Sequence, residues 1–136
     1  MSKVQTNGLT LRFTNSSWVP ATIITYSKDG ETADDIDNSD LATTDYRTFE
    51  PGVLKDGGTY TFGLHFDTET TELPVGTPDE ATIEFPIGTS GNTTKAKEVF
   101  DCYINNSSRT GGINELINGS ITLKVNGGIT FTPESA

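Results

Sequence analysis

The 136-residue sequence has few of the side chains that carry out chemistry at neutral pH. It contains one Cys, one His, one Met and one Trp, and only 32% of its residues are hydrophobic. A single Cys cannot form an internal disulfide, and a single His supports neither a Ser-His-Asp triad nor a histidine-based metal cluster. The sequence therefore gives no positive support for an enzyme.

Long hydrophobic runs are absent as well. No window approaches the ~20 apolar residues that a membrane-spanning helix needs, and the first five residues lack the apolar centre of a signal peptide. We therefore expect a protein that is made and kept in a cytoplasm, without membrane association.

Basic residues are scarce: nine Lys and Arg stand against 19 Asp and Glu, which gives a net charge of −10. A protein that grips nucleic acid by its phosphates needs a concentrated basic patch, whereas these bases are scattered. The acids instead cluster between Asp29 and Glu50 and between Asp67 and Glu84. Such runs indicate solvated loops, or a surface that faces DNA without binding it.

The acidic residues form no recognised catalytic or metal-binding pattern. Residues 34–40 are rich in carboxylates but lack the central Gly and the closing Glu of a calcium loop. No carboxylate pair is marked out for glycosidase chemistry, and no strand, glycine-rich loop and helix follow one another to hold a phosphate. We expect no catalytic, cofactor-binding or metal site.

The sequence is rich in period-two alternation of apolar and polar residues, which predicts β-strands with one buried face. The apolar members are Leu9/Leu11/Phe13, Tyr60/Phe62/Leu64/Phe66, Ala81/Ile83/Phe85, Phe100/Cys102/Ile104, Ile121/Leu123/Val125 and Ile129/Phe131. A further strand is expected over residues 22–26. The alternation places Cys102 on a buried face and His65 on an exposed one.

Glycine-containing turns separate these strands, at residues 28–30, 56–58, 111–112 and 126–128, and each can supply a positive φ. The turn at residues 126–128 predicts a C-terminal hairpin over residues 120–131, and we expect Gly57 to need a positive φ. Only residues 95–99 and 110–117 are compatible with a short helix.

The predicted fold class is mainly β: an antiparallel β-sandwich or flattened barrel with at most one short helix, in a single domain over residues 1–136. One segment fits this pattern poorly. Residues 32–55 are long, acidic and polar, yet the apolar Ile36, Leu41, Tyr46 and Phe49 precede Pro51-Gly52. Because the core offers these side chains no obvious place, we expect another subunit to bury them.

The same segment carries a family resemblance. The run Ile36-Asp37, Tyr46-Arg47-Thr48-Phe49-Glu50-Pro51-Gly52 and Lys55-Asp56-Gly57-Gly58 resembles the signature stretch of the lambda-like major tail proteins, the tail tube proteins of long-tailed phages. Residues 99–131 are similar to the closing part of that family, including Gly111-Gly112-Ile113-Asn114-Glu115-Leu116. One departure is that Pro74, Gly76 and Pro78 oppose the helix that the family places after its third or fourth strand.

The resemblance implies a structural virion protein without enzymatic activity or cofactor. Its subunits would form hexameric rings with a continuous β-barrel, stacked into a tube that conducts the genome. The implied partners are copies of the chain itself and the tape measure, tail terminator and distal tail proteins. Double-stranded DNA would pass through without specific binding, and no membrane is involved. The implied location is the virion tail, assembled in the host cytoplasm.

The resemblance also implies roles for particular residues. The residues of an inter-ring assembly loop would be Ile36, Asp37, Leu41, Tyr46, Arg47, Phe49, Pro51 and Gly52. The residues of the family turn motif are Lys55, Asp56, Gly57 and Gly58. Alternation adds a candidate lumen face with Thr61, His65, Glu84 and Thr122.

Two alternatives stay open. An inner tube protein of a contractile tail or injection system shares the fold and differs mainly in having a sheath around it. A monomeric β-sandwich module that binds carbohydrate would need a clustered aromatic platform, whereas Trp18, Tyr26 and Tyr103 lie in separate segments.

Overall fold

The structure is a computed structural model that describes residues 8–18, 20, 23–37, 46–66, 68 and 71–136. These residues contain strands and no helix, and so no helix long and apolar enough to span a membrane. The eight strands are β1 (Thr10–Phe13), β2 (Ile23–Asp29), β3 (Thr32–Asp37), β4 (Phe49–Asp56), β5 (Thr59–His65), β6 (Asp79–Glu84), β7 (Lys97–Thr110) and β8 (Asn118–Thr132).

Six strands form one antiparallel sheet, the main sheet, in the order β1-β6-β7-β8-β5-β2. Strands β3 and β4 form a separate two-stranded antiparallel sheet. The long strands β7 and β8 pair from end to end, with β6 beside the first half of β7 and β5 beside the first half of β8. The predicted class, mainly β and antiparallel, is confirmed.

The main sheet curls around its own core as a half-barrel. Tyr26 on edge strand β2 packs edge-on against Phe85, which follows β6 near the other edge, with ring centroids 6.1 Å apart. Tyr60 and Phe100 stack at 4.5 Å between them. The buried core consists of Leu9, Leu11, Phe13, Trp18, Tyr60, Phe62, Leu64, Leu73, Ala81, Ile83, Phe100, Cys102, Ile104, Ile121, Leu123 and Val125. Alternation identified nearly all of them.

The C-terminal hairpin predicted over residues 120–131 is wrong. Strand β8 runs through Gly127, whose φ of 102° supports a bulge rather than a chain reversal. The register steps there from Cys102 opposite Val125 to Phe100 opposite Ile129. Pairing along the whole of β7 forms more backbone hydrogen bonds than a short local hairpin, and a glycine bulge lets the strand continue.

Three further expectations are corrected. Residues 97–99 belong to β7 and residues 111–117 form a turn, so neither segment compatible with a short helix forms one. Phe131 is 58% exposed rather than buried. It lies beyond the bulge in β8, where alternation counted from the sequence no longer tracks the core face.

Burial suppresses the ionisation of Cys102 in the core and of Tyr26, which packs against it. The thiol of Cys102 is 1% exposed, and burial, followed by the charges of Asp79 and Asp101, raises its pKa to about 12. Burial also raises the pKa of Tyr26 to about 12, with a smaller contribution from the charge of Glu98. Cys102 is therefore an inert packing residue and not a nucleophile.

We expect the folded protein to lose stability at alkaline pH. The ordinary pKa values are 9.0 for the thiol and 10.0 for the phenol, below the folded values, so the unfolded chain releases these protons first. The stabilising effect is complete below pH 9 and is lost as pH rises towards 12. Thermal unfolding from pH 7 to 11 measures it, with thiol titration as the control for Cys102. Rapid labelling of native protein at pH 8, or a midpoint independent of pH, would contradict it.

Candidate assembly surfaces

The β3–β4 hairpin stands apart from the main sheet. All six residues of β3 are exposed, so neither face of that strand is covered. Ile36, Tyr46 and Leu54 are exposed, and Phe49 exposes 57% of its surface. A two-stranded ribbon without a covered apolar face is marginal in water. This ribbon therefore has the character of a surface that another molecule covers.

The hairpin contains most of the residues predicted for the inter-ring assembly loop. Asp37 lies directly opposite Phe49 in the register, and the Arg47 guanidinium lies 4.0 Å from the Asp37 carboxylate. Leu41 lies outside the described residues. The segment for which the sequence offered no place in the core thus contains two paired strands, β3 before residues 38–45 and β4 after them. Its role in assembly stays a prediction.

Pro51 and Gly52 suit the close pairing of β4 with β3. The register shifts between Ala33 and Asp35: one residue of β3, Asp34, lies opposite three residues of β4, 52–54, so the bulge is in β4. A Cβ on Gly52 would lie 3.0 Å from the Cβ of Asp34, so glycine lets the two backbones approach. Proline lacks an amide hydrogen and is tolerated in edge strands, and both strands of a two-stranded sheet are edges.

The turn motif Lys55-Asp56-Gly57-Gly58 joins this hairpin to β5 and ties its base to the main sheet. Oδ1 of Asp56 accepts hydrogen bonds from the Gly58 amide at 2.7 Å and from Nζ of Lys124, on β8, at 3.0 Å. These contacts, the Gly58 amide first, hold the pKa of Asp56 below its ordinary value. The motif therefore sets where the hairpin leaves the sheet.

The two glycines of this motif have different roles. Gly58 has a φ of 80°, whereas Gly57 has no left-handed backbone, so the expectation for Gly57 is wrong. Gly57 is needed for close approach instead: a Cβ there would lie 2.5 Å from Cγ1 of Val125 and 2.9 Å from the Gly127 carbonyl oxygen. Local sequence could not separate these roles, because Val125 is distant along the chain.

A buried carboxylate, that of Glu98, lies near the same turn, and the sequence analysis did not predict it. Glu98 accepts a 2.5 Å hydrogen bond from the Tyr60 hydroxyl. Nζ of Lys28 lies 3.8 Å from Glu98 and 2.9 Å from Glu31, at the connection from β2 to β3. Burial, then the bond to Glu98, raises the pKa of Tyr60. Extending the alternation of β7 back by two residues from Phe100 would have revealed this carboxylate.

The candidate lumen face is the polar side of the main sheet, opposite the core. Thr61 on β5 and Thr122 on β8 are directly opposite in the register. Nδ1 of His65 lies 2.9 Å from Oδ1 of Asn118. The structure thus brings three of the four residues predicted for this face together on β5 and β8.

The fourth residue, Glu84, lies at the far end of this face, where charges of both signs are interleaved. It pairs with Arg12 at 2.9 Å and is opposite Lys97 in the register. The hairpin is more strongly acidic: residues 31–37 and 46–56 hold six acids and two bases. The described part of the chain therefore places much of its negative charge on the hairpin.

The main sheet has two open edges, β1 and β2. Strand β1 has four residues and β2 has seven. The outward N–H and C=O groups of an edge strand are a template for a strand of another chain. The fold thus offers two edges through which sheets of neighbouring copies could join.

The turn between β7 and β8, residues 111–117, is a second exposed apolar surface and is called the tip surface below. Ile113 is 93% exposed, and Leu116 and Ile117 are exposed too. The family resemblance includes Ile113 and Leu116, but the sequence analysis predicted no exposed surface or assembly role for them. Three aliphatic residues in a turn flanked by glycine and asparagine would have been the indication.

A cleft of about 520 Å³ separates the hairpin base from the β8 bulge, and no His or Cys is among its described lining residues. No group of three His, Cys, Asp or Glu in the described ranges could hold a metal ion. Trp18 is buried and stacks on Phe13 at 5.7 Å, and Tyr26 packs against the core.

No protein-family model matches the sequence, and a comparison with curated proteins found no significant relative. Solved structures do match. The sheath/tube terminator of an extracellular contractile injection system, PVC, in its extended state has a TM-score of 0.73 at 12% identity, over 97% of this chain and 98% of that one. The SPP1 tail tube has a TM-score of 0.65 at 12% identity, over 98% and 81%.

A third match is the tail of an empty GTA particle computed with C6 symmetry, which has a TM-score of 0.63 at 11% identity, over 96% of this chain and 99% of that one. At these identities the similarity establishes the fold. Nearly the whole chain, described hairpin included, therefore has the fold of tail tube and tube terminator proteins.

Proposed function

We propose that this chain is a tail tube subunit of the lambda-like type. It is a structural virion protein without enzymatic activity, and residues 1–136 form one tail tube domain. Copies assemble into stacked hexameric rings that form the conduit for genome ejection. The observation that carries the proposal is the structural match to the SPP1 tail tube, which covers 98% of this chain with a TM-score of 0.65. Further partners would be the tape measure, tail terminator and distal tail proteins.

Ring closure would use the open edges of the main sheet. Joining β2 of one copy to β1 of the next is a heterologous contact, and heterologous contacts generate a closed ring when the rotation closes. A continuous barrel then removes the exposed edges. The C6 symmetry of the GTA tail supports six copies per ring.

Ring stacking would use the β3–β4 hairpin, which corresponds to the assembly loop expected from the sequence. Its apolar side chains are exposed in the isolated chain, and burying one aliphatic or aromatic side chain contributes about 1.5–3 kcal/mol. A subunit of the adjacent ring would bury these apolar side chains.

The polar face with Thr61 and Thr122 would line the channel. Hydroxyl-bearing side chains suit a hydrated wall, and among the described residues of this face the base Arg12 is paired with Glu84, which weakens its attraction for phosphates. Double-stranded DNA would therefore pass without specific binding, in the virion tail, after assembly in the host cytoplasm.

Electron microscopy of the purified protein tests this function. We expect hollow tubes of stacked six-fold rings, and a reconstruction with Thr61 and Thr122 on the channel wall. Monomers at all concentrations would contradict the tube. Retention of duplex DNA by the tubes at about 50 mM salt would contradict the non-binding wall, because phosphate binding is strongest at low salt.

A second candidate is a tube protein or tube terminator of a contractile system, favoured by the TM-score of 0.73 with the PVC terminator. A terminator would stop at single rings in the same micrographs. A sheath gene beside this one, or a sheath around the native particle, would favour a contractile tail.

A further inference from the structure

Backbone hydrogen bonds order the turn that carries the tip surface, although its side chains are exposed. The Phe66 amide donates a 2.9 Å hydrogen bond to the Ile117 carbonyl, and the Glu115 amide donates one to Gly112 at 3.2 Å. Beside it, the guanidinium of Arg109 lies 4.1 Å from the centroid of the Phe66 ring. Its aliphatic side chains are thus presented by an ordered turn, which lowers the entropic cost of binding.

The tip surface and the β3–β4 hairpin lie at opposite ends of the same strand. Strand β5 begins one residue after Gly58, at the hairpin base, and ends at His65, opposite Asn118 beside the tip. Its seven residues separate the hairpin base from the tip surface by about 20 Å, since a strand rises ~3.3 Å per residue. The hairpin base borders Gly127, farther still from the tip.

The charges of the two surfaces are compatible. The hairpin holds six acids and two bases over residues 31–37 and 46–56. Residues 105–120, around the tip, hold one Arg and one Glu, with several Asn and Ser. Glu72 also lies there, 2.9 Å from Arg109, so the region carries only a weak negative charge. Its amide and hydroxyl groups could donate hydrogen bonds to the carboxylates of the hairpin. In a chain of net charge −10, such a weakly charged region is a suitable acceptor.

We propose that the β3–β4 hairpin of one copy docks on the tip surface of a copy in the adjacent ring, with Phe49 and Tyr46 against Ile113 and Leu116. This inference rests on the proposed tube. Because donor and acceptor lie at opposite ends of the subunit, the contact is heterologous and repeats without closing, as a growing tube requires.

The first test is the double variant Ile113→Ser/Leu116→Ser. We expect an unchanged thermal midpoint and intact rings, but a critical concentration for tube growth raised about tenfold or more, since burial of even one such side chain is worth that factor. The matched control is Val75→Ser/Ile87→Ser, which removes two exposed aliphatic side chains elsewhere. It should polymerise normally.

The second test is cross-linking between Glu50→Cys and Glu115→Cys variants, which keep Phe49 and Ile113 in place, with a short thiol-specific linker; the native Cys102 is buried and should not react. Only the mixture should give linked dimers. Normal tube growth of Ile113→Ser/Leu116→Ser, or tubes of the mixture without cross-links, would overturn the docking and leave the tube standing. Absence of tubes from the unmodified chain would overturn both.

Discussion

Gly58→Val should abolish folding of the isolated subunit. Gly58 has a φ of 80°, and a Cβ there would overlap the Asp29 carbonyl oxygen and lie 2.7 Å from the Glu31 amide nitrogen. A left-handed backbone costs a side-chain-bearing residue about 1–2 kcal/mol before any overlap. Both overlapping atoms are backbone, so relief requires moving β2 against β5. The sum approaches the ~5–15 kcal/mol by which a typical domain is stable.

Circular dichroism and the soluble yield on expression measure this effect. Gly128→Val is the control, because a Cβ on Gly128 meets no atom within 4 Å and its φ is not left-handed. We expect the control to change stability by less than about 1 kcal/mol. A folded Gly58→Val protein with the parent thermal midpoint would show that the turn can move.

The different role of Gly57 can be tested separately. Gly57→Ala should destabilise through contact with Val125 and be partly rescued by Val125→Ala, since truncation removes the atom 2.5 Å from the new Cβ. Gly58→Ala should not be rescued by the same change. Equal rescue of both variants would contradict the distinction between close approach and left-handed backbone.

Phe49→Ser should abolish tube assembly and leave the subunit folded. Phe49 is 57% exposed in the isolated chain, so its removal costs the monomer little. In an interface that buries it fully, truncation of an aromatic anchor typically costs about 2–4 kcal/mol per contact. Because the contact repeats at every subunit of every ring, the loss multiplies and long tubes should disappear.

The matched control is Phe131→Ser, which removes a strand phenylalanine of similar exposure, 58%, from the main sheet. Sedimentation and microscopy measure assembly, and thermal unfolding checks the fold. Loss of tubes from both variants would mean that assembly needs exposed apolar surface in general rather than the hairpin. Hydrogen exchange adds a test: protection of residues 46–56 should rise on assembly, and equal protection before and after would contradict the proposal.

Much of the core could be predicted from the sequence, because period-two alternation responds to one local requirement, burial of one strand face. Tyr60, Phe62, Ile121 and Leu123 were expected in the core and are buried there. Where a bulge interrupts the count, the prediction failed: Gly127 continues a strand instead of reversing it, and Phe131 faces solvent.

The candidate surfaces divide in the same way. Alternation assigned Thr61 and Thr122 to one polar face. The apolar residues around Phe49, for which the core offers no place, indicated the segment that forms the hairpin. The stretch around Ile113 belongs to the family resemblance, but its exposure was not predicted, because a short apolar run in a glycine-flanked turn is compatible with a helix until its neighbours are known.

The sequence by itself determined the strand-rich class, the inert Cys102, the acidic outlying segment and the resemblance to tail tube proteins, since each depends on residue type or local spacing. Only the tertiary structure decided that β6 lies between β1 and β7, that Glu98 is buried against Tyr60, and that Gly57 must lack a side chain. These features depend on atoms brought together from distant parts of the chain. Their energies come from packing and desolvation, which no local pattern records.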